Sequence, residues 1–264
     1  MLRREYYKGQ NYLADLKDFN SLDGSLAIFG KAKNIDRLKD LDIKKLWVYG
    51  ANEKQLEQIL SLISPDFISV YQVLAKDLSV LETLTETETI VLRWNSKSDW
   101  LWNMSHNKGL KALVIEDFQK ISNVDAISKV NNLEYLVLEG GMWKPLKLDS
   151  LTPLAGLSKL QFLRLANMQV KIDGLRPIAN LKDLQELDLS NQFETSDYAY
   201  LTAKLPDTKC NYFKPYIKLS NAIGGRDVMV IGKRKPFLNF ELDKTKIKKY
   251  TFEFEEMVRG FSKL

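Results

Sequence analysis

The sequence predicts an α/β solenoid, because a single apolar pattern recurs along most of the chain. Each copy joins a stretch stepping by three residues to an apolar-x-apolar pair, and only the two ends depart from it. The best-formed copy, LTPLAGLSKLQFLRL, places leucine at 151, 154, 157, 160, 163 and 165. The next, LRPIANLKDLQELDL, places Leu175, Ile178, Leu181, Leu184, Leu187 and Leu189 at a constant shift of 24 residues. The period-2 pair reads as a short strand with both side chains turned to a core. The three-residue steps read as a helical or 3-10 turn laying one face on that core. One such unit cannot bury its own apolar face, whereas stacked units bury a continuous one.

The elements follow in chain order. Residues 1–21 are expected to cap the first coil, with Tyr12, Leu13, Leu16 and Phe19 forming the apolar face of a short helix. Residues 22–213 carry the repeats. Leu26 with Ile28 opens them, and a shortened copy follows at Ile35, Leu38, Ile43, Leu46 and Val48. Further copies run through Ile68 and Val70, Ile90 and Leu92, Leu113 and Ile115, and Leu136 and Leu138. The interval from Leu136 to Leu163 is 27 residues, which places extra loop around GGMWKPLKL. Cys210 and Tyr212 look like a last, aromatic-rich unit. In residues 214–264 the repeat stops. RDVMVIG and PFLNFEL read as two strands joined by the basic turn Gly232 to Pro236, and KIKKYTFEFEEMVRGF reads as a closing helix.

This pattern resembles the leucine-rich-repeat family of bacterial proteins, whose motif is LxxLxLxxN. The resemblance covers roughly residues 22–213 and is strongest from Leu151 to Leu189. It implies a curved solenoid, with parallel strands on a concave face, turns on the convex face, and protein binding as the function. The motif's closing asparagine is matched at Asn95. Ala51, Val73, Phe118, Gly141, Met168 and Gln192 stand there in other copies, so irregular curvature is expected. The tail looks like a degenerate zinc-ribbon knuckle, with Ser220, Ile223, Asn239 and Leu242 where paired cysteines would stand. None of these supplies a thiolate or imidazole, so neither metal nor cofactor is expected.

Little else carries chemistry. The 264 residues include one cysteine, Cys210, and one histidine, His106, so a disulfide framework and a multi-cysteine zinc site are excluded. The stretch from Gly24 to Lys31 fails the phosphate-loop spacing, and Ala32 follows where a hydroxyl is needed. Gly224-Gly225 reads as a hairpin turn. No nucleophile–base arrangement is present, and the chain is expected not to be an enzyme. No apolar run is long enough to span a bilayer, and MLRREYYKGQNYLADLKDF lacks the apolar centre of a signal peptide. The lone cysteine suits a reducing compartment, and the resemblance implies a cytoplasmic setting.

Function is expected among the residues beside the repeat leucines, because alternate strand side chains point away from the core. Trp47, Tyr49, Phe67, Tyr71, Arg93, Trp94, Tyr135, Phe162 and Arg164 would share one concave face with Val91, Val114 and Val137. Aromatic and arginine side chains in a row mark a protein interface, so another protein is the expected partner. Glu116, Asp117, Glu139, Glu186 and Asp188 add an acidic strip, which suits a partner with basic as well as apolar groups. The alternative is nucleic-acid or anionic-surface binding by the tail. Residues 214–249 carry +7 of a net +5, leaving −2 elsewhere. Lys233, Arg234, Lys235, Lys244, Lys246, Lys248 and Lys249 would meet phosphates there, interleaved with Phe237, Phe240 and Tyr250.

Overall fold

The computed structural model describes residues 11–20 and 23–263. The basic residues 1–10 and the boundary expected at 21–22 lie outside the described residues. The strands are β1 (Leu13–Asp15), β2 (Ser25–Lys33), β3 (Lys45–Ala51), β4 (Phe67–Val73), β5 (Thr89–Asn95), β6 (Ala112–Phe118), β7 (Tyr135–Glu139), β8 (Leu146–Leu148), β9 (Phe162–Ala166), β10 (Met168–Val170) and β11 (Glu186–Leu189). Among the described residues, nine of them form one parallel sheet in the order β1-β2-β3-β4-β5-β6-β7-β9-β11. β8 and β10 pair separately, also in parallel.

The sheet is in register with the sequence repeat. Leu46 pairs with Ile68, Ile68 with Ile90, Ile90 with Leu113, Leu113 with Leu136, Leu136 with Leu163, and Leu163 with Leu187. All seven paired residues and their successors two places on turn into one continuous leucine core. Its far wall is made by 3-10 turns at Ile35–Asp40, Ser79–Thr83, Met104–His106, Asp125–Lys129, Thr152–Leu154 and Arg176–Asn180, and by helices α1 (Glu53–Leu60) and α2 (Thr195–Lys204). α1 begins with a reciprocal cap: Gln55 N donates to Asn52 Oδ1 at 3.0 Å and Asn52 N to Gln55 Oε1 at 2.9 Å. Asn95 fills the motif's asparagine role. Its Nδ2 donates to Ala75 O at 2.7 Å, and its Oδ1 accepts from Lys97 N and Ser98 N. Ala51, Val73, Phe118 and Met168, which replace it in other coils, are buried in the core instead.

Two expectations are corrected. Leu13–Asp15 is a strand against β2, not part of a capping helix, because Tyr12 and Leu13 split to opposite faces of the sheet. Alternation of period 2 prevails there over the three-residue spacing to Leu16 and Phe19, which still pack on the core. The tail carries a third strand. β12 (Tyr216–Ile223), β13 (Arg226–Val230) and β14 (Phe237–Leu238) form an antiparallel ribbon, and Gly224 and Gly225 make the first turn at φ 57° and 76°. The expected pair of strands corresponds to β13 and β14, and α3 (Lys244–Ser262) is the expected closing helix.

The tail caps the last coil. Ile231 and Phe254 enter the leucine core, Thr195 Oγ1 donates to Ile231 O at 2.9 Å, and Asn191 Nδ2 donates to Val230 O at 3.0 Å. The Arg176 guanidinium lies 4.2 Å from the Tyr200 ring and 4.8 Å from Phe261, which fastens α2 to α3. In the tail, Asn239 Nδ2 donates to Gly225 O at 2.8 Å, while its Oδ1 accepts from Glu241 N and Leu242 N. No described helix is long and apolar enough to cross a membrane.

Candidate functional site, an aromatic sheet face and its rim

Three rows of side chains stand on the sheet face opposite the leucine core, in the register the sequence implies. The middle row runs Ala27, Trp47, Ser69, Val91, Val114, Val137, Arg164 and Asp188. One flanking row includes Phe67, Tyr135 and Phe162, and the other includes Phe29, Tyr49, Tyr71, Arg93, Glu116 and Glu139. All nine predicted site residues therefore lie on this face or, for Trp94, at its edge.

Their exposure differs from expectation. Trp47 is 5% exposed and Phe67 4%, with ring centroids 5.1 Å apart. They join Ala27, Val91, Val114 and Val137 in a second apolar layer, against which Tyr12, Tyr135 and Phe162 pack. Parallel strands about 4.8 Å apart bring large side chains on one face into mutual contact. Trp47 and Phe67 therefore belong to a second core rather than to an exposed row. Tyr135 and Phe162 stack at 4.3 Å and are half-buried. Arg164 is clamped between carboxylates, with Nε and Nη2 on Glu139 at 2.7 and 2.8 Å and Nη1 on Asp188. The Glu139 hydrogen bonds raise its pKa, so it is a fixed cation.

The second flanking row leads outward. Tyr49 and Tyr71 are 5.4 Å apart, Tyr71 and Trp94 6.0 Å, and the Arg93 guanidinium sits 5.0 Å from the Tyr71 ring. At the next position five of the coils turn with positive φ: Gly50 at 67°, Gln72 at 60°, Trp94 at 61°, Asp117 at 54° and Asn167 at 44°. A glycine fits such a position without a steric penalty, and a tryptophan does not. Trp94 is nevertheless there, and 40% exposed. Facing it, the loop between β7 and β8 presents Met142 and Trp143, exposed by 86% and 88%. Tyr71, Arg93, Trp94, Glu116, Asp117, Met142 and Trp143 line a cleft of about 540 Å³. Burial pushes the Asp117 carboxyl above its ordinary range. Gly141 makes room for it, since a Cβ there would lie 2.2 Å from Asp117 Oδ1.

Sequence reasoning missed Met142 and Trp143. The signal was present in the three residues by which that interval exceeds the repeat, with two bulky apolar groups between Gly-Gly and Lys-Pro.

Five of the ten cations between residues 214 and 249 are engaged. Lys244, Lys246 and Lys249 pair with Glu241, Asp243 and Glu253. Lys218 lies 3.1 Å from the Phe240 ring centroid and Lys235 5.2 Å from that of Tyr250. Burial pushes the Cys210 thiol up to about 11, which keeps it protonated. His106 stands 3.9 Å from Glu82, among the turns rather than on the aromatic face.

No family model and no curated protein matches this sequence. Solved structures do. An internalin from Listeria monocytogenes superposes with a TM-score of 0.51 at 20% identity, over 70% of this chain and 58% of that one. The chain thus spans less than two thirds of that internalin. Internalin C2 of the same species gives 0.46 at 24% identity, over 66% and 71%, and a leucine-rich-repeat protein of Leptospira interrogans gives 0.37 at 17%, over 70% and 64%. The in-register parallel sheet, its three-residue turns and the first superposition together establish that this chain has the leucine-rich-repeat fold.

Proposed function

We propose that the protein is a non-catalytic scaffold that binds another protein through the aromatic rim of its sheet. The observation that carries this reading is the cleft between Trp94 and Trp143. Both indoles are exposed, one on a backbone turn that disfavours it, and neither serves the leucine core. Large exposed aromatics carry a solubility cost, and a partner burying them explains their presence. Tyr49, Tyr71 and Arg93 continue the surface, while Trp47, Phe67, Tyr135 and Phe162 form its floor and Arg164 fixes the floor's acidic end. The carboxylates of Glu116 and Asp117 favour a partner with a basic group beside its apolar one.

Affinity capture with wild-type, Trp94→Ala, Trp143→Ala and Ile172→Ala baits tests this. A partner is expected on the wild type and on Ile172→Ala, which is exposed elsewhere, and lost from both tryptophan variants. Equal capture by all four baits would sink the assignment. Nucleic-acid binding by the tail is the weaker reading, because the rings of Phe240 and Tyr250 that bases would stack on already carry lysines.

A further inference from the structure

We propose that the tail docks on an anionic lipid surface, through exposed apolar side chains that each stand beside a base. Ile223 is 62% exposed, Leu242 86% and Phe252 62%, and none of them belongs to an apolar cluster of the fold. Arg226 pairs with Ile223 across the turn between β12 and β13. Lys244 follows Leu242 by two residues, and Lys248 precedes Phe252 by one turn of α3. Exposed apolar residues scattered singly need no explanation, but these three gather on one side of the tail.

The Asn239 side chain joins the hairpin turn to the loop before α3, donating to Gly225 O at 2.8 Å and accepting from Leu242 N at 3.0 Å. A Cβ added at Gly224 or Gly225 would meet no atom within 4 Å, so the turn stands clear of its surroundings. From the loop, a groove of about 430 Å³ runs along α3 to Phe252, floored by Tyr216, Phe240 and Ile247 and edged by the exposed Lys244 and Lys248. Residues two apart on a helix point about 200° apart, so Phe252 faces away from the leucine core that Phe254 enters.

The chemistry selects a membrane over other occupants. Protein interfaces are depleted in lysine. Nucleic-acid bases stack on aromatic rings, not on Ile223 and Leu242. At an anionic bilayer, apolar side chains enter the acyl boundary while neighbouring bases meet the phosphates. Residues 214–249 carry ten bases and three acids, which draws the tail to such a surface. The pair between Lys244 and Glu241 leaves the lysine available, since both are exposed and a surface pair holds weakly. The contact needs no spanning helix, and the rim cleft between Trp94 and Trp143 takes no part in it.

The test is flotation of the full chain with vesicles of phosphatidylcholine, alone or with phosphatidylglycerol added. Wild type is expected to float with the anionic vesicles at least about tenfold more than with the neutral ones, and to lose that preference in about 1 M salt, where charges are screened beyond about 3 Å. Leu242→Ser with Phe252→Ser should lower anionic binding about tenfold, and Lys244→Gln with Lys248→Gln several-fold. Melting curves matched to wild type establish that each variant is folded. Ile172→Ser removes an apolar group equally exposed on the solenoid and should bind as wild type does. Equal flotation with both vesicles, or a loss in Ile172→Ser as large as in the tail variants, would overturn the proposal. So would dimers that form without vesicles and vanish in Leu242→Ser, because a second copy would then be the occupant.

Discussion

Trp47, Trp94 and Trp143 have the same side chain and do different things, and the difference comes from where each Cβ points. Trp47 is locked against Phe67 in the second apolar layer. Trp47→Ala should therefore destabilise the protein by about 3–5 kcal/mol, the usual cost of emptying a buried aromatic site. Trp94 sits at φ 61°, a conformation that suits glycine. Trp94→Gly should hold stability within about 1 kcal/mol of wild type, since relief of strain offsets the lost contacts. A large drop in the denaturation midpoint would show that Trp94 is structural. Asp117 makes a pH-dependent prediction. Its carboxyl is raised by burial, so it binds its proton more tightly folded than unfolded. The native state then loses stability as pH rises from the ordinary carboxylate value through the raised one. Asp117→Asn should be more stable than wild type at neutral pH, and the difference should vanish below about 3.9. Urea titrations at the two pH values check this, and equal differences at both would contradict it.

At the scale of elements, the strand pair and the three-residue turn were legible because each has its own period and both recur at a fixed shift. Leu163 pairs with Leu136 and Leu187 and is fully buried. Leu163→Asp should leave the chain unfolded, since an unpaired carboxylate in that core costs more than a domain's net stability margin. A soluble variant with an unchanged melting curve would refute the register. Elements without a repeating period were harder to read. β1 has three residues, too few for alternation to outweigh the helical spacing of its neighbours. β12, YIKLSNAI, has no fully buried side chain, so no apolar alternation announced it. The site was half legible. Period 2 gave the face on which Trp47 and Tyr71 lie, but burial depends on neighbours one strand away, and the Met142–Trp143 loop has no counterpart in the repeat.

Across the whole molecule, the two faces of the sheet differ in kind. One is a leucine core walled by turns and closed at the far end by Ile231 and Phe254 of the tail. The other is a thinner aromatic and valine layer, edged by exposed indoles and charge-polarised from β2 to β11. That division separates aromatic residues that hold the sheet together from those exposed at its edge. Thermal denaturation of Trp47→Ala beside Trp143→Ala tests it most directly. The melting temperature should fall by on the order of 10 °C for Trp47→Ala and stay at the wild-type value for Trp143→Ala. If Trp47→Ala melts with the wild type, the second apolar layer does not exist, and the separation of floor from rim fails with it.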